Sequence, residues 1–100
     1  MKRATGCMRE IEMHHAMSIA MKATMHELER ALRAHPIPES PTEALIALRG
    51  EVDEVACAIS VGDMTGPHGY AAELPQVAAV AIKALMGYVM QQTHVANIAK

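Results

Sequence analysis

The sequence predicts an all-α protein: a helical bundle of three main helices per chain, completed by oligomerisation. Three observations carry that prediction. Hydrophobic residues make up 51% of the chain, supplied mainly by Ala, Met, Val, Leu and Ile, and Ala, Leu and Met are strong helix formers. β-branched residues never dominate a long stretch, so strands lack their usual composition. Two punctuated segments, HPIPESP (35–41) and SVGDMTGPHG (60–69), separate three long apolar-periodic runs. The need for oligomerisation comes from the missing aromatics: Tyr70 and Tyr88 are the only two. A core of Ala and Met buries little area per residue, and association supplies the remainder.

The first helix is expected from about Met8 to Ala34, with residues 1–7 flexible. Met13, Met17, Ala20, Met21, Thr24, Leu28, Ala31 and Leu32 fall on one side of a helical wheel. Lys22, His26, Glu29, Arg30 and Arg33 fall opposite, and Glu29 can pair with Arg33 at i,i+4. Three prolines in the linker 35–41 must break this helix.

The second helix opens on a well-formed start signal. Ser40 suits the N-cap, Pro41 the first helical position, and Glu43 completes a capping box. The helix is expected to run to about Val61, followed by a Gly-rich loop over 60–70. The third helix is expected from near Ala71–Glu73 to about Ala96. Pro75 is tolerated if it lies in the first turn, where its missing N–H has no helical partner to lose. This helix is apolar around most of its circumference, which indicates burial on several sides and, in a chain this small, a subunit interface.

One hundred residues correspond to a single domain, 1–100. The net charge of −2 and the absence of a basic block beyond Lys2–Arg3 leave no electrostatic footprint for nucleic acid. Cys7 and Cys57 lack CxxC spacing and read as free thiols in a reducing compartment. The longest apolar run, Val77–Ile82, is too short to span a membrane. The opening MKR soon meets Glu10 and Glu12 rather than a signal-peptide core. The expectation is a cytoplasmic protein without nucleic-acid or membrane partners.

Two polar pairs stand out against this background. Leu45, Leu48, Val52, Val55 and Ile59 form the apolar stripe of the second helix, and Glu51 and Glu54 border it three residues apart. Asp53 points elsewhere. Glu73 and Gln76 repeat the i,i+3 spacing in the third helix, with Val80 and Lys83 continuing their row. Two antiparallel helices can set these four residues against one another. Clustered carboxylates repel unless a cation sits among them, and all-oxygen ligation suits Mg²⁺ or Mn²⁺. The plainer alternative is a set of solvated glutamates flanking a core.

The stretch LRGEVDEVACAISVGD, the Gly-rich loop and AELPQVAAVAIKAL together resemble the MazG-like all-α nucleoside triphosphate pyrophosphohydrolases. The likeness covers roughly residues 44–90. That family carries an ExxE motif on one helix and ExxD on the next. By this resemblance Glu51 and Glu54 match ExxE and Glu73 the first position of ExxD, while Gln76 stands where Asp is expected. Gly50 replaces an additional Glu of many members. The resemblance implies Mg²⁺-dependent cleavage of a nucleoside triphosphate between its α and β phosphates, releasing monophosphate and pyrophosphate. It also implies a homodimer or homotetramer and a role in nucleotide-pool house-cleaning.

On this reading Glu51, Glu54, Glu73 and Gln76 hold the metal, and Glu51 or Glu54 takes the proton of the attacking water. Lys83 and Arg49 are the candidate phosphate contacts, and the base contacts stay unassigned. The Gln76 amide, standing in place of a carboxylate, weakens metal affinity, because it carries no charge and cannot act as a base. A helical interaction module that keeps the fold without catalysis is the non-enzymatic alternative. A third possibility is copper binding, since Met13, Met17, Met21 and Met25 recur every four residues among His14, His15 and His26 and thioether and imidazole ligands suit Cu(I). The wheel places Met13, Met17 and Met21 on the apolar stripe with Met25 at its edge, where flexible packing residues belong. Cys57 lies in mid-helix without an activating neighbour, and no P-loop spacing occurs among the glycines.

Overall fold

A computed structural model describes the backbone of residues 2–99 and the side chains of residues 9–94. Its three helices are α1 (Lys2–Ala34), α2 (Pro41–Val61) and α3 (Tyr70–Ala99), with no strand among the described residues. The fold is all-α, as the composition predicts. Helix α1 starts at Lys2 rather than Met8, so residues 2–7, expected to be flexible, continue the helix. No Pro lies within α1 to stop it sooner. Met1 and the side chain of Cys7 lie outside the described residues; Cys57 is a free, exposed thiol.

The start of α2 is built as its sequence requires. Ser40 is extended and its hydroxyl accepts the Glu43 N–H at 3.2 Å. The return bond of the box goes one residue further out: the Glu43 carboxylate accepts the Glu39 N–H at 3.1 Å. Helix α2 ends at Gly62, whose φ of 72° is the left-handed conformation glycine adopts without a Cβ penalty. The Gly62 N–H bonds the Ile59 carbonyl and the Asp63 N–H bonds Ala58, a Schellman closure.

Asp63 then organises the turn into α3. Its carboxylate accepts the Gly66 N–H at 2.8 Å, and its carbonyl accepts the Tyr70 N–H at 2.9 Å. With Ala71 N–H bonded to the Met64 carbonyl, the first donors of α3 are satisfied by the loop itself. The helix therefore begins at Tyr70, and Pro75 lies inside it rather than in its first turn. The acceptor Pro75 leaves without a donor is the carbonyl of Ala71, an exposed residue, so water can serve it.

Helix α3 is the shared element: α1 and α2 each pack on it, and among the described residues α1 and α2 do not pack on each other. Helix α2 runs antiparallel to α3, with the Asp63–Tyr70 bond at one end and Ala44 facing Gly87 across a groove at the other. Helix α1 runs parallel to α3, so the linker 35–40 climbs along α3 before α2 descends. Gln91 Nε2 donates to the Glu39 carbonyl at 2.8 Å and pins that linker. The arrangement opens a cleft between α1 and α2, floored by α3.

The core is small. Among the described residues only Leu28, Ala58 and Ala79 are buried apolar side chains. The radius of gyration is 17.5 Å, against about 13 Å for a compact chain of this length. The described part of α1 before Ala23 is exposed throughout, and the stripe residues Met13, Met17 and Met21 are open instead of packed. The expected burial of that stripe is not met within one chain, because α3 begins too late to run beside it.

Candidate metal centre

Glu51, Glu54 and Glu73 come together where α2 and α3 face each other, with one carboxylate oxygen of each within 4.8 Å of the others. The i,i+3 spacing puts Glu51 and Glu54 one turn apart on the same side of α2, and the hairpin through Asp63 sets Glu73 against them. Glu73 is 2% exposed, an unusual place for a carboxylate. Its Oε1 lies 3.5 Å from His68 Nδ1, a residue of the Gly-rich loop. Its Oε2 has no hydrogen-bond partner, and neither does the buried Oε2 of Glu51.

The electrostatics follow from this crowding. Burial raises the Glu73 pKa above the ordinary carboxylate value, and the neighbouring Glu54 carboxyl group raises it further, while His68 opposes the shift. Burial likewise raises the Glu51 pKa, reinforced by Glu54 and Glu73 and countered by Arg30. Two buried, unpartnered carboxylate oxygens beside a third carboxylate form an oxygen-donor set deficient in positive charge. The donor chemistry fits a hard divalent cation, whose ligands are carboxylate, amide and water oxygens.

Glu51 also lines the cleft between α1 and α2, a space of about 350 Å³ that it shares with Glu27, Arg30, Gln76 and Lys83. Gln76 is half-buried there, its amide nitrogen 3.5 Å from the Ala72 carbonyl of its own helix. Lys83 is 6% exposed, and its Nζ donates to the carbonyls of Ala31 at 3.3 Å and His35 at 3.1 Å. Burial lowers its pKa. The predicted phosphate contact is thus engaged in capping the last turn of α1. Arg49, the other predicted contact, is exposed on α2 and does not line this cleft.

Three neighbours of the site escape sequence reading. Arg30 and Glu27, on α1, form an ion pair of 2.8 Å at the cleft wall, whereas the wheel places Arg30 on the polar side. A Glu-x-x-Arg pair is too common on helix surfaces to signal a site. His68 stands in a loop whose path depends on Asp63, so no periodicity points to it.

No family model, curated protein or solved structure matches this chain.

Proposed function

We propose that the chain is a divalent-metal-dependent nucleoside triphosphate pyrophosphohydrolase that acts as a homo-oligomer, in keeping with the MazG-like resemblance of residues 44–90. The observation that carries the reading is the unpartnered Oε2 of buried Glu73 within the triad of Glu51, Glu54 and Glu73. Burying a charged carboxylate without a partner costs several kcal/mol, roughly, which a bound cation offsets. Glu51, Glu54 and Glu73 would hold Mg²⁺ or Mn²⁺, with Gln76 offering an amide oxygen. The cation would supply charge neutralisation at the phosphates and a more acidic bound water.

The chain's own groups then divide the work. Glu51 or Glu54 accepts the proton of a water whose oxygen bonds to the α phosphorus. The bond from that phosphorus to the α–β bridging oxygen breaks, leaving monophosphate and pyrophosphate. Arg30, braced by Glu27, presents a guanidinium at the wall of the cleft, where a phosphate chain can receive paired N–H donors. Lys83 contributes positive charge from the floor without leaving its carbonyls.

The test is pyrophosphate release from a panel of ribo- and deoxynucleoside triphosphates with Mg²⁺ or Mn²⁺, for the native chain, Glu54→Ala and Gln76→Asp. Release by the native chain that Glu54→Ala abolishes is the expected result. Silence from the native chain and from Gln76→Asp alike would sink the enzymatic reading. A second reading, a non-catalytic helical module of the same fold, draws on Gln76: its amide bonds its own helix and brings no negative charge to the site. Activity appearing only in Gln76→Asp would favour it.

A further inference from the structure

Four neighbouring side chains on α1 belong neither to the core nor to the carboxylate triad. Glu10, Met13, His14 and Met17 stand at i, i+3, i+4 and i+7, all within the continuous helix and all exposed. Successive residues of an α-helix turn by about 100° and rise about 1.5 Å. The four therefore share roughly 100° of arc and about 10 Å of helix length. Met13 and His14 flank this patch, Met17 stands one turn above them and Glu10 one turn below. Helical side chains lean toward the N-terminus, which carries Met17 back over the gap between Met13 and His14.

We propose that this patch binds one Cu(I) ion, through the thioethers of Met13 and Met17 and the imidazole of His14. Thioethers are soft donors that select Cu(I), and imidazole also suits copper. Met13 and Met17, at i,i+4, are same-face neighbours and can chelate one ion, while His14 is i+3 to Met17 and supplies a third donor from the side. Three neutral donors leave the ion's positive charge intact, and the Glu10 carboxylate beneath them attracts it. The hard oxygen ligands that Mg²⁺ or Mn²⁺ would need are grouped elsewhere, at the triad.

Tertiary structure removes the ordinary account of these methionines. Methionine commonly fills gaps in a core, and amphipathicity by itself predicts that role. Within the chain the role is not taken up, because Met13 is 69% and Met17 54% exposed. The patch is also separate from the cleft. Glu27, which lines the cleft, is ten residues beyond Met17, about 15 Å along the axis. Copper binding here does not rest on what the triad holds. An apolar contact would be served as well by leucine as by methionine, whereas leucine offers no donor atom. The two roles therefore predict different outcomes for the same substitution.

The experiment is competition for Cu(I) against bicinchoninate, without oxygen and with ascorbate. Thiolates also bind Cu(I), so the full chain carries Cys7→Ser and Cys57→Ser. This chain should withdraw one equivalent of Cu(I) from the chelator. Adding Met13→Leu and Met17→Leu, or His14→Gln, should weaken binding by at least the about 10–100-fold typical of losing a supporting residue. Helical circular dichroism should be unchanged, since these positions are exposed and Met-to-Leu exchange is mild. Failure of the cysteine-free chain to withdraw Cu(I), or native affinity in either set of variants, would overturn the proposal. Should the cysteine-free chain lose its helical signal, copper X-ray absorption of the loaded native chain decides. A mixed sulfur and nitrogen shell is expected there, and a shell of sulfur alone would overturn the site.

Discussion

Lys83 Nζ donates to the His35 carbonyl at 3.1 Å, across 48 residues of sequence. With its second bond, to the Ala31 carbonyl that also accepts the His35 N–H, it closes the C-terminus of α1, where positive charge is favoured. Lys83 is therefore a tertiary cap. Lys83→Ala should destabilise the fold by about 1–3 kcal/mol, the range for losing hydrogen bonds to a charged group. The melting temperature should fall by roughly 4–8 °C per kcal/mol in a domain of this size. An unchanged melting temperature would remove the capping role.

The proposed metal site predicts that stability depends on divalent cations. Mg²⁺ or Mn²⁺ should raise the melting temperature, by about 2.7 kcal/mol of stabilisation at a hundred times the dissociation constant. Glu73→Gln should abolish that increment while leaving the metal-free protein as stable as native or more so, because it removes a buried charge. Equal increments in both proteins would place the cation elsewhere.

The same carboxylates set a pH dependence. Glu51 and Glu73 both titrate above their ordinary value of 4.5 because of burial and their neighbours. The folded chain thus holds protons that the unfolded chain has already released, so this cluster's contribution to stability falls as pH rises through and above 4.5. In chelator, melting temperatures followed from mild acid to neutrality should show that loss, and Glu73→Gln should flatten it. Divalent cation should reverse it by favouring the ionised forms. A chelated profile identical in native and variant chains would contradict the assignment.

Gln76→Asp places a fourth carboxylate beside the triad. It should lower metal-free stability through like-charge repulsion and enlarge the stabilisation by Mg²⁺. Paired thermal melts with and without cation measure both effects, and an unaltered increment would show that position 76 does not reach the ion.

Gly87 is needed for a close approach. A Cβ there would lie 2.9 Å from the Pro38 carbonyl oxygen and 3.2 Å from Ile37 Cγ2. Gly87→Ala should push the linker off α3 at a cost of about 1–3 kcal/mol, typical of overpacking. Gly50→Ala, whose Cβ meets nothing within 4 Å, should instead stabilise α2 by up to roughly 1 kcal/mol. Chemical denaturation of the two variants separates these outcomes.

Much of the architecture is legible in the residues themselves. Ser40, Pro41 and Glu43 mark the start of α2 because capping is local, a matter of side chains reaching their own backbone. Glu51, Glu54 and Glu73 can be grouped because helical spacing and a hairpin connection bring them together by geometry alone. Pro75 points to a later start for α3 than the true one, since the loop bonds from Asp63 and Met64 that begin the helix early leave no trace in periodicity. Arg30, Glu27 and His68 escape notice for a related reason: their places at the site depend on how α1 and the Gly-rich loop dock. For the methionine stripe, amphipathicity identifies the face but cannot say whether one chain supplies its cover.

Short-range physics, written in the order of residues, thus settles the three helices, their caps and breaks, and which residues share a face. Docking of the helices settles the rest: that α3 serves both other helices, that Lys83 is spent on α1's carbonyls, and that a Glu73 oxygen is buried without a partner. Those outcomes come from packing among segments far apart in the chain, where burial changes the chemistry of a residue without changing its identity.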